Sequence, residues 1–521
     1  MSPQESPRPN ADATDGGAGV PLGRTDPALR RLLFRAFPSL DAVIARHGGV
    51  QAARAALVRT ARSRVKVRAV RAMLLMGELD RREGDIEAAR SWLRRASDTG
   101  PALIRQAAAY RLGLFEEGQG RVEAAEGLYR ELAAEGHAAV APLARNALGR
   151  FAESAGDDFA ALDEWMAAAE SGHPEAAPWA FLYMARLMNR RGERRSALNL
   201  WDRAACLEER GCAAVALFEA GRALYAWKDH RQARKRFTRC IDLGVPPTVF
   251  RAQAYLGQVE YLLGDPVAAR ERLMSAVESG DGFARAHAQL TLGHMDSDQG
   301  RVVEASRWHE RAAESEDLTL AAIAVTRLAV SARERAAYGE ARRWYSRLLD
   351  LGDAEQRNIA RFNLAFVDAQ EGDRRSAREG YARLVETGDG GLRANAMFHL
   401  GQMAVVDGEP EEGRRLLERY LKLDVSEHRP SVLYWLGDAA EQLGESDEAV
   451  AFYDRAIATG DALAAQKAMF GHARMANANG EFASARTWLS RILDFDGGAH
   501  PELASRVHAA LDDLDGDAGH E

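Results

Sequence analysis

The stretch GDDFAALDEWMAAAESG, Gly156–Gly172, opens and closes on glycine and places Ala161 five residues in and Trp165 nine residues in. Thirty-six residues earlier GRVEAAEGLYRELAAEG, Gly120–Gly136, sets Ala125 and Tyr129 at the same offsets. Laid out at that interval, the leading glycine recurs from Gly48, Gly84 and Gly120 through Gly444 and Gly480, with Lys228 and Ala336 in two of the thirteen slots. Alanine stands five residues after every slot except at Gly413, and twelve residues before every slot except at Val432. Two ladders in one register, without an insertion, mean that the same contacts are made again and again along the chain.

Each unit reads as a helical hairpin. Before the glycine, apolar residues lie at i, i+4 and i+7, as in Ala108, Leu112 and Phe115, which makes one buried stripe on a first helix. The small residue after the leucine, such as Gly113, Gly149 or Gly257, permits close approach of a neighbouring helix. After the slot, alanine, a large residue four later (Tyr129, Trp165, Phe237) and a third residue three beyond (Ala168, Ala276) form the matching stripe of a second helix. The slot glycine supplies backbone freedom at the end of the first helix, and an acidic residue often follows it (Asp85, Asp157, Glu193, Asp229, Glu445), suited to cap the second. One such pair cannot bury both faces alone, so neighbours must stack.

The order Leu148, Gly149, Ala161, Trp165, Ala168 resembles the tetratricopeptide repeat, and the resemblance covers roughly residues 37 to 496. The period is 36 where that family's is about 34. The ends AAESGH and AAEGH look Sel1-like, but the spacing from first-helix glycine to second-helix alanine is shorter than in Sel1-type repeats. The expected fold is therefore all-α: a right-handed α-solenoid of about 13 stacked helix-turn-helix repeats with a 36-residue period. Residues 1–26 are expected to be a disordered tail, 27–500 the superhelical solenoid with ALRRLLFRAF at 28–37 near its start, 501–514 a capping helix and 515–521 an acidic disordered tail.

Composition agrees with a folded chain: 46% hydrophobic, 28% charged, mean hydropathy −0.34. No segment reaches the roughly 18 apolar residues of a membrane span, and the N-terminus lacks a secretory apolar run, so a cytoplasmic protein without membrane association is expected. Cys206, Cys212 and Cys240 fit no disulfide or zinc pattern and read as reduced core thiols. Arginine far outnumbers lysine, which reads as a base-composition bias, and the expected source is bacterial. Residues 1–71 hold thirteen Arg or Lys against five Asp or Glu, a surplus of eight; with a total of −8, the remainder carries −16.

No nucleotide, zinc-protease or serine-hydrolase motif sits in its required strand-to-helix context, so neither an enzyme nor a cofactor is expected. His287 and His294 share a helix face without a third ligand, and the acidic run at Asp512 lacks the glycine of a calcium loop, so no metal is expected. The resemblance implies that first helices line an inner wall, with positions thirteen, ten, six and three before the slot facing a groove. On that reading Arg150, Arg186 and Arg222 stand in register, accompanied by Asn146, Trp179, Asn189, Tyr225, Tyr261 and His294. First helices about 10 Å apart would offer an extended peptide one arginine every third residue, which favours an acidic peptide or tail; the alternative is that the arginines pair with nearby acids such as Glu153. Farther on, the wall turns apolar at Ile323, Val330, Ile359, Phe362, Phe366, Phe398, Val405, Tyr434 and Phe470, which marks a partner or self-association site unless neighbouring helices bury it.

The leading expectation is a non-enzymatic protein-interaction scaffold that binds a protein or peptide segment in its concave groove, and a homo-oligomer is a second expectation. The alternatives are a regulatory or sensor subunit that takes a signalling peptide or small ligand, and nucleic-acid association through Arg54, Arg59, Arg62, Arg64, Lys66, Arg68 and Arg71. The acidic body and the lack of interleaved aromatics weigh against nucleic acid.

Overall fold

The computed structural model describes residues 39–517 apart from 424, 496 and 497; the expectations for 1–26, 28–37 and 518–521 lie outside the described residues. Among those described the chain forms 27 helices and no strand. They pair in sequence order as Leu40–His47 with Val50–Ala61, Lys66–Glu83 with Ile86–Ser97, and so on to Ala462–Ala478 with Phe482–Leu493, followed by Pro501–Asp517. This is the paired helix-turn-helix packing of an α-solenoid.

The turn between partners repeats in detail. All thirteen slots are left-handed, the eleven glycines at φ between 71° and 89°, Lys228 at 65° and Ala336 at 55°. In each the chain folds back on the first helix: Gly156 N–H donates to Glu153 O at 3.0 Å and Asp157 N–H to Ala152 O at 2.9 Å, and Lys228 with Asp229 does the same onto Tyr225 and Leu224. The following acid caps the second helix only where it is aspartate. Asp85, Asp157, Asp229, Asp265 and Asp373 each accept the N–H three residues on, whereas Glu193, Glu409, Glu445 and Glu481 stand at the cap without that bond. At these turns the longer glutamate side chain makes no such bond, although Glu209 at a hairpin junction does accept the Cys212 N–H.

Packing within a pair is a knob in a socket. Trp165, fully buried, lies over Gly149 so closely that a Cβ there would stand 2.3 Å from the indole Nε1. Tyr129 over Gly113, Phe237 over Gly221, Leu273 over Gly257 and Tyr453 over Gly437 repeat the arrangement. The small first-helix residue thus receives its own partner helix. Ala161 and its equivalents, such as Ala125, Ala197 and Ala269, are likewise fully buried.

Contacts divide the chain into two compact bodies at Ala288/Gln289, inside the helix Gly282–Asp298. In the N-terminal body first helices touch first helices: Lys66–Glu83 meets Ala102–Gly118, and Ala141–Ser154, Ala176–Arg190, Arg210–Ala226 and Thr248–Leu262 follow one on the next. In the C-terminal body Ala354–Gln370, Gly390–Val406, Arg429–Gln442 and Ala462–Ala478 do the same, and Ala462–Ala478 meets Pro501–Asp517. That last helix buries Leu503, Val507 and Leu514 in one cluster with Met469, Leu489 and Ile492, and it continues to Asp517, three residues into the stretch expected to be tail. Of the three free thiols Cys212 and Cys240 are buried, but Cys206 is exposed because it ends the helix Arg194–Cys206.

Candidate functional site

Which first-helix positions lie open follows from the rotation each helix adopts against its neighbours. Six before the slot, the side chain is half-buried or exposed from Glu78 through Arg150, Arg186, Arg222 and Gln258 to Gln402 and Arg474, with Asp438 the buried exception. Ten before, expected to face the groove, it is instead mostly interior: Leu74, Tyr110, Asn146, Leu182, Phe218, Ala254, Leu290 and Phe398 are all buried. That position is sealed between neighbouring first helices.

In the N-terminal body the three arginines are not equivalent. Arg150 donates from both terminal nitrogens to Glu117, Nη1–Oε1 2.7 Å and Nη2–Oε2 3.2 Å. Glu117 also accepts the Tyr129 hydroxyl at 3.0 Å. Burial works against the Arg150 charge, and Tyr183 with Glu117 outweighs it, so its pKa rises above the ordinary value. Arg186 is held by Glu219 of the next first helix, Nε–Oε2 3.0 Å and Nη2–Oε1 2.5 Å. Glu153, weighed from sequence as a partner, takes Arg190 instead. Arg222 differs from both. It is exposed, has no carboxylate partner among the described residues, and stands 5.8 Å from the Phe218 ring centre and 5.9 Å from that of Tyr255.

The remaining candidates of this body divide between structure and surface. Asn146 is buried and donates to the Ala176 carbonyl at 2.8 Å, which ties two hairpins together. Trp179 is half-buried beside Tyr183, ring centres 6.3 Å apart. Asn189, Tyr225 and Tyr261 are half-buried in last turns of first helices, and burial pushes the Tyr225 hydroxyl up. Sequence reasoning missed the line nine before the slot, where Tyr183, Glu219 and Tyr255 stand; Tyr255 stacks on Phe237 at 5.6 Å and meets Tyr225 edge-on at 6.0 Å. Its signal was present in Tyr183 and Glu219 as i, i+3 neighbours of Arg186 and Arg222.

In the C-terminal body His294 is half-buried, 5.5 Å from His309 ring to ring, and burial together with Arg327 lowers its pKa. The apolar wall expected here is partly packed. Phe398 and Val405 are buried and stacking holds Phe398 on His428 at 4.4 Å, while Ile359, Phe362 and Phe366 are half-buried, Phe362 edge-on to Tyr381 at 5.5 Å. Ile323, Val330, Tyr434 and Phe470 are half-buried as well. Arg474 pairs with Asp438 at 2.5 Å and Glu441 at 2.7 Å, the same link between successive first helices that Arg150 makes to Glu117.

Among the described residues no group of three or more His, Cys, Asp or Glu is placed to hold a metal ion, and no helix is long and apolar enough to cross a membrane. The family model described as Tetratricopeptide repeat matches residues 45–104, 218–282 and 404–464. No curated protein matches the chain in sequence. Among solved structures the chain is similar to a protective antigen of uropathogenic Escherichia coli displaying an SLR fold, at 18% identity and TM-score 0.39 over 86% of this chain and 98% of that one. It is also similar to a signal-transduction ATPase with a tetratricopeptide repeat sensor from Pyrococcus horikoshii, at 12% and 0.46 over 64% and 54%. A third is the C-terminal part of a repeat-containing protein from Cytophaga hutchinsonii, at 14% and 0.37 over 48% and 99%.

Proposed function

The chain carries tetratricopeptide repeats, and on that premise we propose that it is a non-enzymatic scaffold that holds a protein or peptide segment along the first-helix wall of its N-terminal body, with Arg222 taking a carboxylate of that partner. Repeats of this kind generally mediate protein or peptide binding. In this reading the protein works in the cytoplasm without a cofactor.

The observation that supports the reading is the contrast among three arginines in one register. Glutamates 33 residues away neutralise Arg150 and Arg186, whereas Arg222 keeps its charge beside two aromatic rings. A guanidinium left in that state binds a carboxylate by paired, charge-assisted hydrogen bonds, and half-buried Tyr255 supplies apolar surface for the adjoining chain, with buried Phe218 backing the arginine. One acidic side chain or a chain terminus is therefore recognised, in place of an acid at every third residue. The test is capture of partners from the native cell by the full chain, quantified for the native protein, Arg222→Glu and Arg222→Lys. Arg222→Glu should weaken capture tenfold or more, a difference of about 1.4 kcal/mol or greater. Arg222→Lys should fall between. Equal capture by all three would defeat the assignment.

A further inference from the structure

The junction between the first two hairpins lacks an acidic cap that six of the eleven later ones carry. Nineteen residues before the slot, Glu209, Asp281, Asp317, Asp353, Asp389 and Asp461 each accept an N–H of the first helix that follows. At the same position before Lys66–Glu83 stands Val65, 51% exposed, and no side chain caps that helix. Lys66 and Arg68 fill its first turn, where the helix dipole disfavours positive charge, and no acid stands there.

The surrounding charge is uncompensated. Arg59, Arg62, Arg64, Lys66 and Arg68 are exposed and have no carboxylate partner among the described residues. Their neighbours behave differently: Arg54 pairs with Asp80 and Glu83, Arg81 with Glu78, and Arg82 with Asp41 and Glu78. Close by, burial and then the like charge of Arg46 lower the Arg71 pKa to about 10. Between the free cations Val67 is also open, 40% exposed. Five other junctions lack that acid as well, Pro101 before Ala102–Gly118 and Pro247 before Thr248–Leu262 among them, but this one also gathers like charges and exposes two aliphatic side chains. Such local departures collect at functional surfaces.

We infer that Arg59–Arg68 is a docking surface for an anionic lipid bilayer, with the five cations among the headgroups and Val65 and Val67 directed toward the acyl chains. Charge complementarity identifies the headgroups, since juxtamembrane cations are drawn to acidic lipids. The aliphatic character of the exposed side chains separates this partner from nucleic acid: no ring stands between the cations for a base to stack on.

The experiment is co-sedimentation of the full chain with vesicles of phosphatidylcholine alone and of equimolar phosphatidylserine and phosphatidylcholine, at low and high salt, with single- and double-stranded DNA as competitors. Binding is expected to the mixed vesicles alone and to fall as salt rises. Arg62→Glu/Arg64→Glu/Arg68→Glu should reduce it tenfold or more while the melting curve stays in place, because these side chains are exposed. Val65→Ser, which restores a capping hydroxyl and keeps every cation, should raise the melting temperature and weaken binding severalfold. Failure to sediment, equal binding to the uncharged vesicles, binding that survives the triple substitution, or loss of vesicle binding to equimolar DNA would each overturn the inference.

Discussion

Lys228 and Ala336 occupy turns that eleven other repeats give to glycine, and both are held left-handed, at φ 65° and 55°. A side chain with a Cβ costs roughly 1–2 kcal/mol in that region. Glycine would remove this strain but enlarge the freedom of the unfolded chain, which takes back about 0.4–1 kcal/mol. Lys228→Gly and Ala336→Gly should therefore each stabilise by about 0.5–1 kcal/mol, seen as a higher midpoint in urea, and a lower midpoint would show that the turn is relaxed as it stands. A glycine in the first helix answers to another demand. Gly149 is ordinary helix, but its missing Cβ is the space that Trp165 fills. Gly149→Ala should cost about 1–3 kcal/mol through overpacking, and a neutral result would mean that the indole can move aside.

For a helix, the informative comparison is between aspartate and glutamate at the same cap. Asp157 accepts the Ala160 N–H at 2.9 Å, while Glu193, one repeat later, stands at the cap of Arg194–Cys206 without such a bond. Glu193→Asp should gain, and Asp157→Ala lose, about 1 kcal/mol; matching melts of native protein and Glu193→Asp would count against the geometry. The same comparison explains what sequence could deliver. The alanine ladder and its large partner four residues on were legible because they are the contacts themselves, repeated with one spacing. Cap chemistry was half legible, since acidity shows in sequence but whether the side chain meets the N–H does not. The wall was harder still. Which carboxylate Arg150 takes depends on how two first helices are rotated, and that rotation sends Glu117, 33 residues earlier, to its side while it hides Asn146 from solvent. No periodicity in the chain specifies it.

Across the described residues of the molecule, six histidines share one electrostatic condition. His173, His294, His309, His399, His428 and His472 all have lowered pKa values, and burial is the first cause in each. His309 is the sharpest case. It sits in the knob position that Tyr345 and Tyr381 fill in the next repeats, packs over Gly293, and burial followed by His294 and Arg327 brings it to about 4 from an ordinary 6.5. The folded state therefore holds fewer protons than the unfolded one between those values. This share of stability is complete above pH 6.5 and is lost as pH falls toward 4, by about 3 kcal/mol for His309 alone. Carboxylates lowered by arginine, such as Glu78 beside Arg81 and Arg82, lose their share only as pH falls below their ordinary value of 4.5, so two acid phases should separate. A repeat protein opens locally, which makes hydrogen exchange the appropriate measurement. Protection in Val302–Ala312 should decline between pH 6.5 and 4, and His309→Phe, which keeps an aromatic knob without a titrating nitrogen, should flatten that decline while leaving protection at pH 7.5 near native. Equal slopes for the two proteins would show that the imidazole is not what makes this repeat sensitive to acid.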